Sequence, residues 1–267
     1  MSVVTVEPGD SPVILAFPHS GTALPEALAA RLNDNGRLFA DTDWHLWRLY
    51  DGLLPGATTV RALQHRYGTD LNRDPDGTSL YPGQNTTGLV PLTDFDGRPI
   101  WRDGAAPDAA EIAARLATVH APYHAALTAE VERVRALHGL AVVYDCHSIR
   151  SHIPFLFEGR LPDFNIGTDM GRTADPAIAT AALDAVAEAR GFSHVVNGRF
   201  RGGWTTRHYG RPAARVHAIQ MELAQATHLV TEAPPFDYDA IKADGLRRIL
   251  RRVLAGIDAA ARTLAAA

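Results

Sequence analysis

Histidines and carboxylates in this chain fall at the ends of apolar runs. His19 follows Val13–Phe17 in the segment Pro18-His19-Ser20-Gly21, Asp145 and His147 follow Leu140–Tyr144, and Glu222 stands near the end of Val216–Leu223. Two imidazoles and a carboxylate, with one position left for water, form a set that Zn2+ favours. Asp43 or Asp41, at the start of a helical segment, could supply the oxygen ligand. A lone histidine at a strand end is more often a structural hydrogen-bonding group, and aspartates at a helix start often do no more than complement the dipole. Convergence at one sheet edge is what gives these residues chemical weight, because ligands of open α/β sheets bind beyond the carboxyl ends of the strands. Asp145 is spaced to hold the second ring N–H of His147, as carboxylates commonly do behind a ligating imidazole.

Two further segments carry cations. Asn72-Arg73, in YGTDLNRDP, reads either as a carboxylate-binding fork or as a polar turn. Arg207, in GGWTTR, reads as a second cation of a site or as a surface salt-bridge partner. Other chemistries are poorly served. HExxH and GxSxG are missing, and Ser20 lacks the strand–serine–helix setting of a nucleophile elbow. Cys146 adjoins His147, but neighbours on a strand point to opposite faces, which argues against a thiol mechanism.

The elements that must position these groups read as α/β. Strands are expected at Val13–Phe17, Ala57–Leu63, Leu140–Tyr144, Ser193–Val196 and Val216–Leu223. Helical spacing covers Pro25–Leu32, Asp43–Leu53 with Thr42 as N-cap, Pro107–His138 as one long helix or two broken near Pro122, Pro176–Ala189 and Tyr238–Leu264. Strands alternating with helices indicate a largely parallel sheet. Residues 67–101 show little periodicity but hold Tyr81, Leu89, Val90, Phe95, Ile100 and Trp101, which marks an ordered loop around a site. Residues 149–175 read as a second irregular stretch, and His120, His124 and His138 as ordinary helix residues.

Composition narrows the partners. The 267 residues carry 26 Lys+Arg against 30 Asp+Glu, a net charge of −4, with no basic stripe for nucleic acid. Lys242 is the single lysine. One cysteine excludes an internal disulfide and a Cys-based zinc ribbon. No membrane-length apolar run and no signal-peptide pattern is present, so a cytoplasmic protein is expected. No repeat or composition break divides the chain, so residues 1–267 are expected to form one domain.

PHSG at 18–21, DTDWHLWRLYD at 41–51, DLNRDP at 70–75, LYPGQNTTGLVP at 80–91, FDGRPIW at 95–101, DCHSIRS at 145–151, NGRFRGGWTTRHYG at 197–210 and QMELAQATHL at 220–229 occur in this order. The ordered set resembles the N-formylglutamate amidohydrolase (N-formylglutamate deformylase) family over about residues 12–230. The resemblance implies a mixed, mostly parallel sheet flanked by helices, similar to zinc carboxypeptidases (phosphorylase/hydrolase-like), with one Zn2+ per chain. It implies His19 and His147 as histidine ligands and Asp43 as the acidic ligand, with Asp41 the less favoured option. It further implies Glu222 as general base and Asn72-Arg73 as holder of a substrate carboxylate. Arg207 is the candidate second cation, for substrate binding and for the oxyanion. The activity implied is hydrolysis of N-formyl-L-glutamate to formate and L-glutamate, in histidine degradation. The alternatives are a metal-dependent amidohydrolase acting on another N-acyl or N-formimidoyl amino acid, or a binding protein on a decayed hydrolase scaffold. The partners expected are a small-molecule dicarboxylate, no nucleic acid and no membrane, with the chain a monomer or small homo-oligomer.

Overall fold

The computed structural model describes residues 2–79 and 83–267. Tyr81 and the first three residues of the 80–91 motif lie outside the described residues. Seven strands, β1 (Val4–Glu7), β2 (Val13–Phe17), β3 (Thr58–Ala62), β4 (Ala141–Ile149), β5 (Phe164–Gly167), β6 (His194–Val196) and β7 (Val216–Ala224), form one sheet in the order β1-β3-β2-β4-β7-β5-β6. Four neighbouring pairs are parallel; β1–β3 and β5–β7 are antiparallel. The mixed, mostly parallel sheet expected from the sequence is therefore present.

Among the described residues seven α-helices accompany it: α1 (Glu26–Ala29), α2 (Leu46–Tyr50), α3 (Ala109–Arg115), α4 (Ala121–His138), α5 (Pro176–Ala187), α6 (Trp204–Tyr209) and α7 (Ala240–Ala266). Alternation along β2 sends Val13, Leu15 and Phe17 into a core shared with α2, α5 and α7. Ile14 and Ala16 face the other side, against α4 through Tyr123, Leu127, Val131 and Val134. Helix α7 fits its groove because Leu246, Leu250, Val253, Leu254 and Ile257 recur on one face, and burying each such side chain stabilises by about 1.5–3 kcal/mol. Asp239 caps its start by accepting from the N–H groups of Ile241 and Lys242.

Three differences from the sequence reading bear on function. Strand β4 does not stop at Tyr144 but runs to Ile149, paired with β7 in register to Ala224. Asp145 and His147 are therefore strand residues; their side chains find polar partners, so the backbone ladder continues. Helix α2 is shorter than expected, and Thr42 does not cap it. Its hydroxyl donates to the Phe39 carbonyl, and residues 41–45 are drawn toward the sheet edge, where the Asp43 N–H donates to the His19 carbonyl at 3.1 Å. Two elements were not expected: β5 lies in the stretch 149–175 read as irregular, and α6 in a Gly-rich segment whose GGWTTR reads as a loop; both are short.

His228 closes the far side of this region, its Nε2–H donating to the Trp44 carbonyl at 3.1 Å from a fully buried position. Burial lowers its pKa from 6.5 to about 4. The unfolded chain thus takes up this proton first, and stability is full above pH 6.5 and falls as the pH drops toward 4. The expected contribution is on the order of 3 kcal/mol. Urea titrations at pH 7 and pH 5 should show a smaller loss on acidification for His228→Gln than for the natural chain.

Candidate metal centre and active-site cavity

The carboxyl ends of β2, β4 and β7 meet at one edge. His19 leaves the end of β2, where Gly21 lets the chain pass close against residues 63–64; a Cβ there would come within 2.5 Å of the Gln64 carbonyl oxygen. His147 projects from β4, and Glu222 occupies the paired position on β7. Asp43 arrives from the loop before α2. All four are almost completely buried.

His19 Nδ1 and His147 Nδ1 lie 3.2 Å apart, and Asp43 Oδ2 stands 4.0 Å from the first and 3.3 Å from the second. Among the described residues these three form the single group of His, Cys, Asp and Glu side chains able to hold a metal ion, with ligand atoms within 4.8 Å of one another. The donor set fits such an ion. Asp43 Oδ2 is buried without a hydrogen-bond partner, and both ring Nδ1 atoms point at the same space. Each opposite ring nitrogen faces a buried carboxylate: His19 Nε2 is 2.8 Å from Asp70 Oδ1, and His147 Nε2 is 3.0 Å from Asp145 Oδ1. Carboxylates so placed fix the tautomer and leave Nδ1 to a metal.

These carboxylates are held in turn. Arg66 donates to Asp70 Oδ2 at 2.6 Å, with Arg73 at 3.7 Å, and the Thr206 hydroxyl donates to Asp145 Oδ2 at 3.0 Å. Burial works against ionisation of Asp70, but Arg66 and Arg73 hold its pKa well below the ordinary range. Burial lowers His19 to about 4, with Arg66 adding to the shift. Burial also disfavours charge on His147, yet the carboxylates facing it, Asp145 first and then Asp43 and Glu222, hold its pKa well above 6.5. Glu222 is pushed up to about 8 by burial and accepts from Gln220 Nε2 at 3.0 Å.

Asp41, the alternative ligand, lies apart from the group. Its Oδ2 accepts from the Tyr67 hydroxyl and the Phe95 N–H, both at 2.9 Å, and burial raises it to about 7. Asn72 is set between two elements: its Nδ2 is 3.1 Å from His147 Nε2, and its Oδ1 accepts from the Thr205 N–H. It presses so closely on Gly203 that a Cβ there would meet Nδ2 at 2.2 Å. Residues 70–73 are clamped from α4's side, where His124 donates to the Leu71 carbonyl at 2.8 Å and His120 to that of Arg73 at 3.1 Å. These two histidines are therefore supports of the site loop. Cys146 faces the opposite core, and burial raises its thiol pKa well above the ordinary value.

A cavity of about 210 Å³ opens onto His19, Asp43, His147 and Glu222. Its walls include Leu89, Phe95, Ile149, Leu156 and Phe200, and the loop expected to surround the site contributes residues from Asn72 to Leu89. Among the described residues its arginines are Arg66, Arg73 and Arg199. Arg207 lies on α6, donating to the Gly202 carbonyl and standing 3.4 Å from Asp169. Sequence reasoning did not single out Asp70, Arg66, Gln220 or Arg199. The period-2 spacing of Gln220 and Glu222 on one strand, and the four-residue spacing of Arg66 and Asp70, were the available signals.

Fold and centre together define an α/β protein with a buried two-histidine, one-aspartate group able to hold a single metal ion. The family model of the N-formylglutamate amidohydrolases matches residues 11–229. A curated N-formylglutamate deformylase of Pseudomonas aeruginosa is 50% identical over 254 residues, covering 94% of each chain, and one of Pseudomonas putida is 44% identical with the same coverage. The crystal structure of an N-formylglutamate amidohydrolase from Ralstonia eutropha JMP134 superposes with a TM-score of 0.77 at 26% identity, over 97% of each chain. A gene product of Agrobacterium tumefaciens shares the fold, with a TM-score of 0.71 at 20% identity over 96% of each chain. The chain belongs to the N-formylglutamate amidohydrolase family.

The carboxylate behind His147 generates a direct expectation. Asp145→Asn should weaken metal retention about 10–100-fold while leaving the fold intact, measured by competition with a chromogenic chelator. Unchanged affinity would show that Asp145 does not orient the ring.

Proposed function

We propose that this chain hydrolyses N-formyl-L-glutamate to formate and L-glutamate, with one zinc ion held by His19, Asp43 and His147. The observation that carries this reading is the opening of that buried group, Glu222 and Arg73 onto one cavity, in a chain of this family. No helix among the described residues is long and apolar enough to cross a membrane, which suits a small polar substrate met in the cytoplasm. The reading inherits a place in histidine degradation from the family resemblance.

A divalent ion in this group supplies Lewis acidity, lowering the pKa of water and polarising a carbonyl. The chain's own residues supply the rest. Glu222 stands at the cavity wall as the general base: it takes the proton of the attacking water and returns it to the departing amine nitrogen. Gln220 fixes the carboxylate through Oε2, and Gly203 fixes Gln220 by donating its N–H to Oε1 at 2.6 Å. Arg73, with Asn72 beside it, is the anchor for a substrate carboxylate, its fork set by the Thr87 carbonyl and hydroxyl. Phe95, Leu156 and Phe200 exclude bulk water, which strengthens each electrostatic contact inside.

Purified protein should release formate from N-formyl-L-glutamate, lose this activity to a chelator and regain it with Zn2+. Glu222→Gln should keep the metal and lower kcat about 10²–10⁴-fold. Arg73→Ala should act mainly on KM. A folded, metal-loaded protein that releases no formate would overturn the reading.

A further inference from the structure

Of the three groups proposed to hold a metal ion, two have carboxylates behind them: His19 stands against Asp70 and His147 against Asp145. Asp43 Oδ2 has no hydrogen bond, so the place of this oxygen is set through the backbone that carries it. That backbone is held at every polar group of residues 42–44. The N–H groups of Thr42, Asp43 and Trp44 donate to the carbonyls of Phe39, His19 and Thr42 at 3.1, 3.1 and 2.9 Å, and the Asp43 carbonyl accepts from the Leu46 N–H at 3.3 Å. The Thr42 hydroxyl accepts from His65 Nε2 at 2.9 Å, and His65 Nδ1 accepts from the Tyr67 N–H at 3.1 Å. Two carbonyls are taken by side chains of the turn that follows β7. Gln225 Nε2 donates to the Thr42 carbonyl at 2.8 Å and His228 Nε2 to the Trp44 carbonyl at 3.1 Å.

Gln225 is 1% exposed and directly follows Ala224, the last residue of β7. Its amide nitrogen also donates to the Ser148 hydroxyl at 3.4 Å, beside His147 on β4. A primary amide carries two N–H donors, so one group can serve both acceptors. The peptide unit before Asp43 is therefore pinned at both ends, its N–H by the carbonyl of His19 and its C=O by Gln225. The residue after His147 is reached by the same amide. Gln225 does not belong to the cavity wall, so any effect it has on the centre passes through its neighbours.

We propose that Gln225 is a positioning residue of the metal centre: with His228 beside it, it fixes the backbone of residues 42–44 so that the Asp43 carboxylate stands in place before an ion arrives. This assignment rests on the metal-centre reading above and deepens it. Strand β7 then serves the centre twice, carrying Glu222 toward the cavity and ending in the group that aligns Asp43.

The test uses the full chain and Zn2+ or Co2+ alone. Gln225→Met keeps the length of the side chain and removes both donors, while the Trp44 N–H still serves the Thr42 carbonyl. This variant should bind Zn2+ about 10–100-fold more weakly in competition with a chromogenic chelator. Its visible Co2+ spectrum, which reports the coordination geometry, should move toward that of Asp43→Ala. A variant that unfolds at lower urea but keeps the natural Zn2+ affinity and Co2+ spectrum would overturn the assignment, because Gln225 would then only support the fold. Hydrogen exchange on the natural chain needs no variant to fold. Residues 41–45 should be equally protected with and without Zn2+, and protection that appears only with Zn2+ would also overturn the assignment. A natural chain that binds neither ion would instead remove the metal-centre reading, and this assignment with it.

Discussion

Four carboxylates, Asp43, Asp70, Asp145 and Glu222, are buried around two imidazoles, each 6% exposed or less. Taking one such charge out of water without compensation costs several kcal/mol, so this cluster is the constraint that the surrounding structure answers. Asp70 is answered by Arg66 and Arg73, Asp145 by Thr206 and His147, and Glu222 by Gln220. Asp43 Oδ2 is left without a hydrogen bond, facing two ring nitrogens. The negative charge concentrated at that point, with lone pairs directed into one space, is what makes the group suited to a cation.

Satisfying these charges explains how non-repetitive chain is held at the sheet edge. Residues 66–73 bring Arg66, Asp70, Asn72 and Arg73 to the edge of the sheet, and His120 and His124 hold that loop by its carbonyls. Asn72 fits only because Gly203 has no side chain, and Gly203 in turn ties Gln220 to the start of α6. The site therefore joins strand residues of β4 and β7 to loops held by buried polar contacts as well as by apolar packing of Tyr67, Val90, Phe95, Ile100 and Trp101. Packing also acts one layer away, in the two cores that hold β2, β4 and β7 in place.

The strands, the long helices and the residues at strand ends were legible because apolar periodicity and polar punctuation are local signals. His19, His147 and Glu222 stood out as polar residues closing apolar runs, and Asp43 as one of two acidic residues near a helix start. What separates Asp43 from Asp41 is three-dimensional: Asp41 meets Tyr67 and Phe95, which lie 26 and 54 positions along the chain. The continuation of β4 through Asp145 and His147 was hidden because polar residues in a strand look like its end until their partners are known. His120 and His124 looked like ordinary helix residues because the carbonyls they hold belong to a loop about 50 residues earlier. Strand β5 and helix α6 were too short to produce a periodic signal.

The pairing of β4 with β7 sets Asp145 beside Gln220 and His147 beside Glu222, with Cys146 and Met221 between them turned to the opposite core. Two neighbouring strands thus carry a two-by-two block in which an imidazole and its carboxylate face a glutamate and its amide. Because side chains alternate, a shift of one residue between these strands would point a different set at the cavity while preserving most backbone hydrogen bonds. Chemical competence in this protein is therefore a matter of phase between two central strands, and the site exists only once their pairing is correct. Insertions in the loops can reshape the pocket, but a single added residue within β4 or β7 would dismantle the centre without removing any of the residues that compose it.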